Sequence, residues 1–318
     1  MRTMKPTLAL IVLILPVAAQ VKITPGANKV AIQIDGKPFT DFYYSGADVT
    51  KPFLHPLRAA SGTYITRMWP MEDVPEEANT TKDHRHQRGV WFAHESVNGI
   101  DFWNNEASYT TPNRGRIVFR RFGRIKYGTG GGTLAVTFEW VGPKGESLLR
   151  EDRVMTFHPD SKLRTIDFDI TLTAIPEVTF GDKKDGLFGI RLRPALQEDT
   201  GTGHITNAEG ATGEKAVWGK PSEWCDYSGT VGSEALGVAI FDHPDNPRHP
   251  PRWHARAYGL FAENPFGLAV FTGDSSKDGS LALAPGHSLR FRYRVIVHPG
   301  DVKSAGIAGL WKVYAGKR

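Results

Sequence analysis

The 318-residue sequence has one cysteine, Cys225, so an intramolecular disulfide is excluded. After residue 19 no apolar run approaches the ~18 residues that a membrane-spanning helix needs. The formal net charge is only +5, and the sequence contains no basic tract of the kind that binds nucleic acid. We therefore expect no disulfide, no membrane span in the mature chain and no nucleic-acid partner.

Several catalytic signatures are also absent. The sequence contains no P-loop, no Rossmann glycine pattern after a strand, no G-x-S-x-G and no H-E-x-x-H. The glycine-rich run at 128–132 lies between two predicted strands, which indicates a hairpin turn and not a phosphate-binding loop. These absences leave the chemistry to residues outside the common motifs.

The first residues have the pattern of a secretory signal. Arg2 and Lys5 precede an apolar stretch at 8–15, and small residues follow at 17–19. This pattern predicts a signal peptide over residues 1–19, with an uncleaved anchor as the alternative. The mature chain is then secreted, most simply into a bacterial periplasm.

From residue 20 onward the sequence predicts β structure. The 34 glycines and 21 prolines give frequent turns, and long helical periodicities are nearly absent before the last 20 residues. Residues 29–44 read as a hairpin turning at Asp35-Gly36, and 116–173 as at least four antiparallel strands. In 185–194, Arg191 and Arg193 alternate with apolar residues and are expected to be exposed.

No linker divides the chain, so residues 20–318 are expected to form a single domain. The fold class predicted is all-β: a large antiparallel β-sandwich with a short C-terminal helix over residues 301–314. Asp301 is the expected N-cap of that helix.

Two stretches concentrate polar and aromatic residues. The first, residues 80–103, contains His84, His86 and His94. If it is extended, the spacing of His84 and His86 puts both rings on one face, as metal ligands often require, and the three histidines are a candidate divalent-metal site. The alternative is that they hydrogen-bond to the backbone or to a substrate.

The second stretch, residues 241–261, repeats this chemistry, and a pocket between the two would suit a sugar. Aromatic faces pack on the C–H faces of sugars, and polar side chains bond hydroxyls. Histidine–carboxylate pairs are suited to proton transfer near neutral pH. Structural ion pairs and core tryptophans are the competing interpretation.

The candidate catalytic residues are His84, His86, His94 and His243. The candidate substrate-binding residues are His55, Arg67, Arg88, Asn98, Asp101, Trp103, Glu223, Trp224, Asp226, Asp242, Arg248, His249, Trp253 and His254. Cys225 is expected to be a buried, inert thiol, with a catalytic or copper-binding thiol as the alternative.

Long motifs, including DHRHQRGVWFAHESVNGIDFW and FDHPDNPRHPPRWHARAYGLFAENPFG, resemble the exported bacterial PmoA-like family, whose members are commonly labelled methane oxygenase PmoA. The family pattern is D-H-x-H-H-R-G, where this chain has Gln87 in place of the second histidine of the pair, and Arg85 stands where proline is common. The strand pattern and the closing FRYRV have a weaker similarity to galactose-mutarotase-like domains, a supersandwich that binds sugars on a concave sheet face.

We therefore expect a periplasmic protein or enzyme that acts on a small-molecule sugar derivative or oligosaccharide by histidine–carboxylate chemistry of the epimerase, lyase or hydrolase type. The alternatives are a metal-dependent oxidoreductase, which the PmoA-like label implies, and a non-catalytic binding protein.

Overall fold

The computed structural model describes residues 19–316, and the predicted signal peptide lies almost wholly outside that range. Two eight-stranded sheets dominate the fold, and their strand pairs are antiparallel. The all-β class, the large antiparallel sandwich and the short C-terminal helix are confirmed. Within residues 19–316 no helix combines the length and the apolar character needed to cross a membrane.

The first sheet contains β1 (Val21–Pro25), β2 (Lys29–Ile34), β3 (Lys37–Tyr43), β4 (Phe53–His55), β5 (Val90–Phe92), β11 (Phe188–Arg191), β15 (Arg252–Ala255) and β16 (Leu260–Asn264). Their spatial order is β1-β2-β3-β4-β5-β11-β16-β15. The hairpin predicted at 29–44 is present as β2 and β3. Asp35 and Gly36 form its turn with φ values of 53° and 72°, the positive values that a two-residue type I′ turn needs.

The second sheet contains β6 (Arg116–Lys126), β7 (Gly132–Val141), β8 (Ser147–Phe157), β9 (Arg164–Ala174), β12 (His204–Asn207), β13 (Trp224–Val231), β14 (Glu234–Asp242) and β18 (Ser288–Pro299). Their order is β12-β13-β14-β18-β9-β8-β7-β6. Buried and half-buried residues alternate along β7 and through most of β9, as the sequence pattern predicted for strands with one buried face.

Shorter elements complete the chain. Strands β10 (Val178–Phe180) and β17 (Leu281–Leu283) pair with each other. The helices are α1 (Glu214–Val217), α2 (Leu268–Thr272) and α3 (Ile307–Ala315), and the 3₁₀ turns are Pro75–Glu77 and Pro194–Leu196.

Aromatic residues join the two sheets across the core. Phe92 of β5 lies 6.1 Å from Trp140 of β7, and Phe188 of β11 lies 4.7 Å from Tyr293 of β18, measured between ring centroids. Burying an aromatic side chain of this size contributes roughly 2–3 kcal/mol. This packing holds the strand ends of the first sheet, and the loops between them, in fixed positions.

Two local predictions were wrong. Arg191 and Arg193 are buried, because Asp83, Gln87 and Tyr258 pack around Arg191 and Arg193 packs on Tyr64. Helix α3 begins at Ile307 and its N-cap is Gly306, whereas Asp301 caps an earlier turn by accepting the Ser304 backbone N–H at 2.7 Å.

Candidate functional site

The segment Asp83–Arg88, which leads into β5, is a tight turn. The His84 carbonyl accepts the Gln87 N–H at 2.9 Å, and His84 has a positive φ of 45°. Gly89 ends the segment at φ 55°, where a Cβ would lie 2.0 Å from the Leu54 carbonyl oxygen. Only glycine therefore lets the turn approach β4 so closely.

This turn changes the predicted relation of the two histidines. His84 and His86 were expected to share one face of an extended segment. Their ring centroids are 5.8 Å apart at an interplanar angle of 73°, with His84 partly exposed and His86 buried. The turn directs one imidazole outward and the other into the protein.

Two arginines converge on Asp83 from neighbouring elements. Nη1 of Arg67 lies 3.2 Å and Nη2 of Arg191 lies 3.1 Å from Oδ1 of Asp83. Both arginine side chains are only 2% exposed, whereas Asp83 is 34% exposed. Buried guanidinium groups need such a counter-charge, so Asp83 is the electrostatic centre of this cluster.

Burial and charge shift the pKa values of these groups. Burial lowers the pKa of Arg67 to about 9, and the neighbouring Arg191 acts in the same direction. For Asp83 burial acts to raise the pKa, but Arg191, His84 and Arg67 offset it and the net shift is downward. Asp83 is therefore a carboxylate at neutral pH.

His84 is oriented by two contacts. Its Nδ1 lies 2.7 Å from Oδ2 of Asp83, and its ring stacks on Tyr258 at 5.1 Å and 7°. Because the carboxylate accepts the Nδ1 proton, Nε2 of the neutral ring carries the free lone pair. Nε2 makes no hydrogen bond to another residue in the range 19–316, and the side chain is 42% exposed.

The buried side chains of the turn support this arrangement. His86 Nδ1 lies 3.0 Å from the Tyr109 hydroxyl, and burial lowers the His86 pKa well below its usual value, so the ring stays neutral. Gln87 Oε1 accepts a hydrogen bond from Arg191 Nη1 at 2.5 Å. The amide at the position where the PmoA-like pattern has histidine therefore holds Arg191 in place.

A cavity of about 580 Å³ opens beside this cluster. Arg67, Asp83, Arg191 and Tyr258 form one side, and the loops at 76–81 and 194–200 form the other. Ligand pockets commonly occupy roughly 300–1,000 Å³ and present a few oriented polar groups. We call it the Asp83 pocket.

The other candidates of the first stretch lie elsewhere. His94 is buried, bonds the Gly181 carbonyl oxygen at 2.8 Å and packs on Phe266. Asp101 accepts the backbone N–H groups of Trp103 and Asn104, each at 2.8 Å. These contacts stabilise loops and core.

Four more candidates from the first half of the chain lie outside the Asp83 pocket. Trp103 is fully buried, 4.9 Å from Trp91, and the side chain of Asn98 bonds the backbone of residues 177 and 179. His55 is buried without a hydrogen-bond partner among the described residues, and burial lowers its pKa to about 3. Arg88 pairs with Glu106 at 2.5 Å and lines a second cavity.

The second stretch reaches the Asp83 pocket only through Tyr258. Asp242 bonds Nδ1 of His249 at 2.6 Å and Nδ2 of Asn246 at 2.5 Å in a buried cluster beside β18. His243 packs on Tyr314 of α3, 5.2 Å between centroids. The two stretches therefore meet at one point and do not form two halves of a single pocket.

Three candidates of the second stretch pack against other side chains or bond to the backbone. Trp253 stacks on Phe261 and donates Nε1–H to the Ser222 carbonyl oxygen at 2.9 Å. His254 lies 3.5 Å from Asp185 and burial lowers its pKa to about 4. The guanidinium of Arg248 bonds the carbonyl oxygens of residues 265, 279 and 280.

The last candidates lie in β13 and directly before it. Asp226 is buried, and its Oδ2 lies 2.7 Å from Nε2 of the buried His298. Trp224 packs in the small hydrophobic cluster beneath α3. The backbone carbonyl of Glu223 accepts the Asp242 N–H at 3.0 Å. Cys225 is a buried free thiol whose pKa burial raises well above its usual value.

The three histidines proposed as metal ligands are not brought together. Within residues 19–316 no group of three or more His, Cys, Asp or Glu side chains is arranged to hold a metal ion. His94 packs near 181 and 266, whereas His84 and His86 lie beside Tyr258 and Tyr109.

Sequence reasoning did not select Asp83, the centre of the cluster, as a site residue, and it missed three of its neighbours. Arg191 was placed on an exposed face, Gln87 was noted only as a departure from a pattern, and Tyr258 was not selected. The available signal was the crowding of arginines at 67, 191 and 193 on strands too apolar to leave them solvated. An arginine in such a strand needs a buried counter-charge.

Comparison with known proteins gives distant structural similarities. The chain aligns with a putative aldose 1-epimerase from Klebsiella pneumoniae (12% identity, 93% of this chain and 87% of that chain, TM-score 0.43). It aligns with a galactose mutarotase-like protein from Clostridium acetobutylicum (10% identity, 88% of this chain and 98% of that chain, TM-score 0.38). It also aligns with the α-galactosidase from Lactobacillus brevis (9% identity, 89% of this chain and 40% of that chain, TM-score 0.41), and it spans less than half of that protein's length.

At these identities and TM-scores the alignments assign no activity to this chain. No curated protein matches it. The resemblance to the PmoA-like family is not confirmed by the family comparison, which matches residues 29–312 to the model described as a family of unknown function, DUF6807. The chain therefore belongs to the DUF6807 family.

Proposed function

We propose that this protein binds a carbohydrate or sugar derivative in the Asp83 pocket and acts on it by histidine–carboxylate acid–base chemistry. The observation that carries the proposal is the 580 Å³ cavity lined by Asp83 and two buried guanidinium groups, with His84 in contact with two of its lining residues, Asp83 and Tyr258. Such a lining supplies donors and acceptors for several hydroxyls at once.

His84 is the acid–base group of this proposal. Asp83 fixes the tautomer, so that Nε2 accepts a proton from a substrate C–H or O–H, and the carboxylate then stabilises the imidazolium that forms. Proton transfer by a positioned side chain contributes typically about 10²–10⁴-fold in rate. His86 is held neutral by burial and supports the turn through Tyr109.

The guanidinium groups of Arg67 and Arg191 have a binding role. Their shared carboxylate keeps them in fixed orientations, so little side-chain entropy is lost when a ligand binds. Arg67 donates its Nη hydrogens to Asp83, His84 and Gln87. Arg191 keeps Nη hydrogens beyond those donated to Gln87 and Asp83, and these suit hydroxyl oxygens and, in a uronic acid, a carboxylate. Export to the periplasm, from the pattern at residues 1–19, is part of the same proposal.

A thermal-shift screen at millimolar concentrations of monosaccharides, oligosaccharides and uronic acids tests the proposal. We expect at least one saccharide to raise the melting temperature, and His84→Ala to abolish turnover while binding persists. His287→Ala, which changes an exposed histidine in the turn before β18, is the matched control and keeps wild-type behaviour.

Three results would contradict the proposal in different ways. If no saccharide stabilises the protein, the proposed carbohydrate ligand is wrong. Binding with no turnover under any condition leaves a non-catalytic binding protein. Stoichiometric copper or iron in protein purified from the periplasm, lost in the His84→Ala/His86→Ala variant, favours a metal-dependent oxidoreductase.

A further inference from the structure

A second cavity, of about 420 Å³, lies next to the Asp83 pocket. Its lining includes Arg85, Arg88, Glu106 and Ser108 together with strand residues Tyr43 and Phe53. We call it the Arg85 pocket. Its volume is also within the usual range for ligand sites.

Trp69 lies between a lining residue of the Asp83 pocket and a lining residue of the Arg85 pocket. The guanidinium carbon of Arg67, which lines the Asp83 pocket, lies 5.0 Å from the Trp69 ring centroid. That of Arg85, which lines the other pocket, lies 5.1 Å from the same centroid. One half-buried indole therefore contacts a lining residue of each cavity, and the two pockets are neighbours.

The turn at 83–88 supplies polar groups to both pockets. Asp83 lines the first cavity, and Arg85 and Arg88 line the second. Gly89 lets this turn pack directly against β4, with the side chains for the two pockets on its two sides. A rigid turn that serves two cavities suits a ligand with repeated units.

The Arg85 pocket has hydrogen-bonding capacity that the protein does not use. Glu106 is buried, and its Oε1 accepts no hydrogen bond from residues 19–316; Nε of Arg88 likewise has no partner there. The exposed guanidinium of Arg85 donates to no other described residue and is positioned by Trp69. Arg85 therefore offers exposed donors to a polyhydroxylated ligand in this pocket, whereas the unpaired Glu106 and Arg88 atoms are buried behind its surface.

We propose that the site takes an oligosaccharide, with one sugar unit in the Asp83 pocket and a following unit beyond Trp69 in the Arg85 pocket. This inference rests on the proposed carbohydrate function and adds to it a second subsite. Joining two subsites through one ligand makes the second contact intramolecular, so affinity rises with chain length.

Isothermal titration calorimetry with two matched saccharide series tests the second subsite. One series is glucose, cellobiose and cellotetraose, and the other is galacturonic acid with its dimer and its tetramer. The inference predicts that a tetramer binds the full-length protein at least about 10-fold more tightly than its monomer. Ser108→Trp, at an exposed loop position, fills the Arg85 pocket and lowers tetramer affinity to that of the monomer. Arg85→Ala lowers it part of the way.

Ser161→Trp is the control, since Ser161 is equally exposed in the loop between β8 and β9. Equal affinity for monomer and tetramer would overturn the second subsite and leave the proposed function intact. A tetramer preference that survives Ser108→Trp would also overturn it. Absence of binding in both series, together with no stabilisation by any saccharide in the thermal-shift screen, would overturn both proposals.

Discussion

Replacing Asp83 by asparagine tests the electrostatic account of the site. Asp83 is the shared counter-charge of Arg67 and Arg191, both 2% exposed. Removing one partner of a buried ion pair costs about 3–5 kcal/mol. Because Asp83 is 34% exposed and the asparagine keeps a neutral acceptor, we expect about 2–3 kcal/mol at pH 7.

The same substitution has a defined pH dependence. The folded-state pKa of Asp83 is lowered, so its contribution is fully present above the unfolded carboxyl pKa of about 3.9 and is lost as pH falls through the folded value. The stability difference between wild type and Asp83→Asn is therefore expected to be largest at pH 7. It should shrink as pH falls to 3.

Urea denaturation at pH 7 and pH 3 measures both quantities. Asp169→Asn is the control, because the Asp169–Arg290 pair is 38% and 58% exposed and should contribute less than about 1 kcal/mol. A loss below about 0.5 kcal/mol for Asp83→Asn at pH 7, or a loss that does not change with pH, would refute the reasoning.

Three further predictions concern stability and protonation. Gly89→Ala should lower the free energy of unfolding, measured by chemical denaturation, by more than about 2 kcal/mol. Gly99 also has a positive φ but has open space around it, so Gly99→Ala should cost about 1 kcal/mol. Equal losses would contradict the close approach of Gly89 to β4. Burial raises the pKa of Glu263, so its contribution to folding stability is present below the usual carboxyl pKa and is lost as pH rises through the folded-state pKa. Glu263→Gln should therefore flatten the dependence of stability on pH. An unchanged pH profile would contradict the raised pKa. The pKa values of about 3 for His55 and 4 for His254 predict constant ring ¹H shifts in NMR between pH 8 and pH 5, and a titration near 6.5 would contradict their burial.

Local patterns predicted much of the fold. The alternation in 166–172, and the Asp35-Gly36 turn, depend on neighbours in sequence, so strand, turn and buried face followed from them. The pairing of the sheets did not follow. Strand β5 pairs with β4 and β11, which lie far apart in the chain, and no local signal encodes such long-range partners.

The candidate site was predicted in part. The first stretch supplied His84 and His86, and Arg67 was selected. Arg191 was placed on a solvent face because alternation in a strand predicts one wet side, yet here both sides are covered. Its counter-charge, Asp83, lies 108 residues away, and only the folded chain brings the two together.

The second stretch was overestimated for a related reason. Asp242 and His249 have the composition of a catalytic pair, but they are buried together beside β18 and bond each other and Asn246. A buried polar group needs hydrogen-bond partners whether or not it has a function, so composition alone does not separate the two cases.

Hydrogen–deuterium exchange with and without saturating cellotetraose or tetragalacturonate tests the central claim most directly. The account predicts slower exchange at the turn 83–88 and at 256–259, with no change at 246–252, the segment beside the cavity that Arg248 lines. Protection confined to 246–252, or no protection at 83–88 by a saccharide that binds, would contradict it.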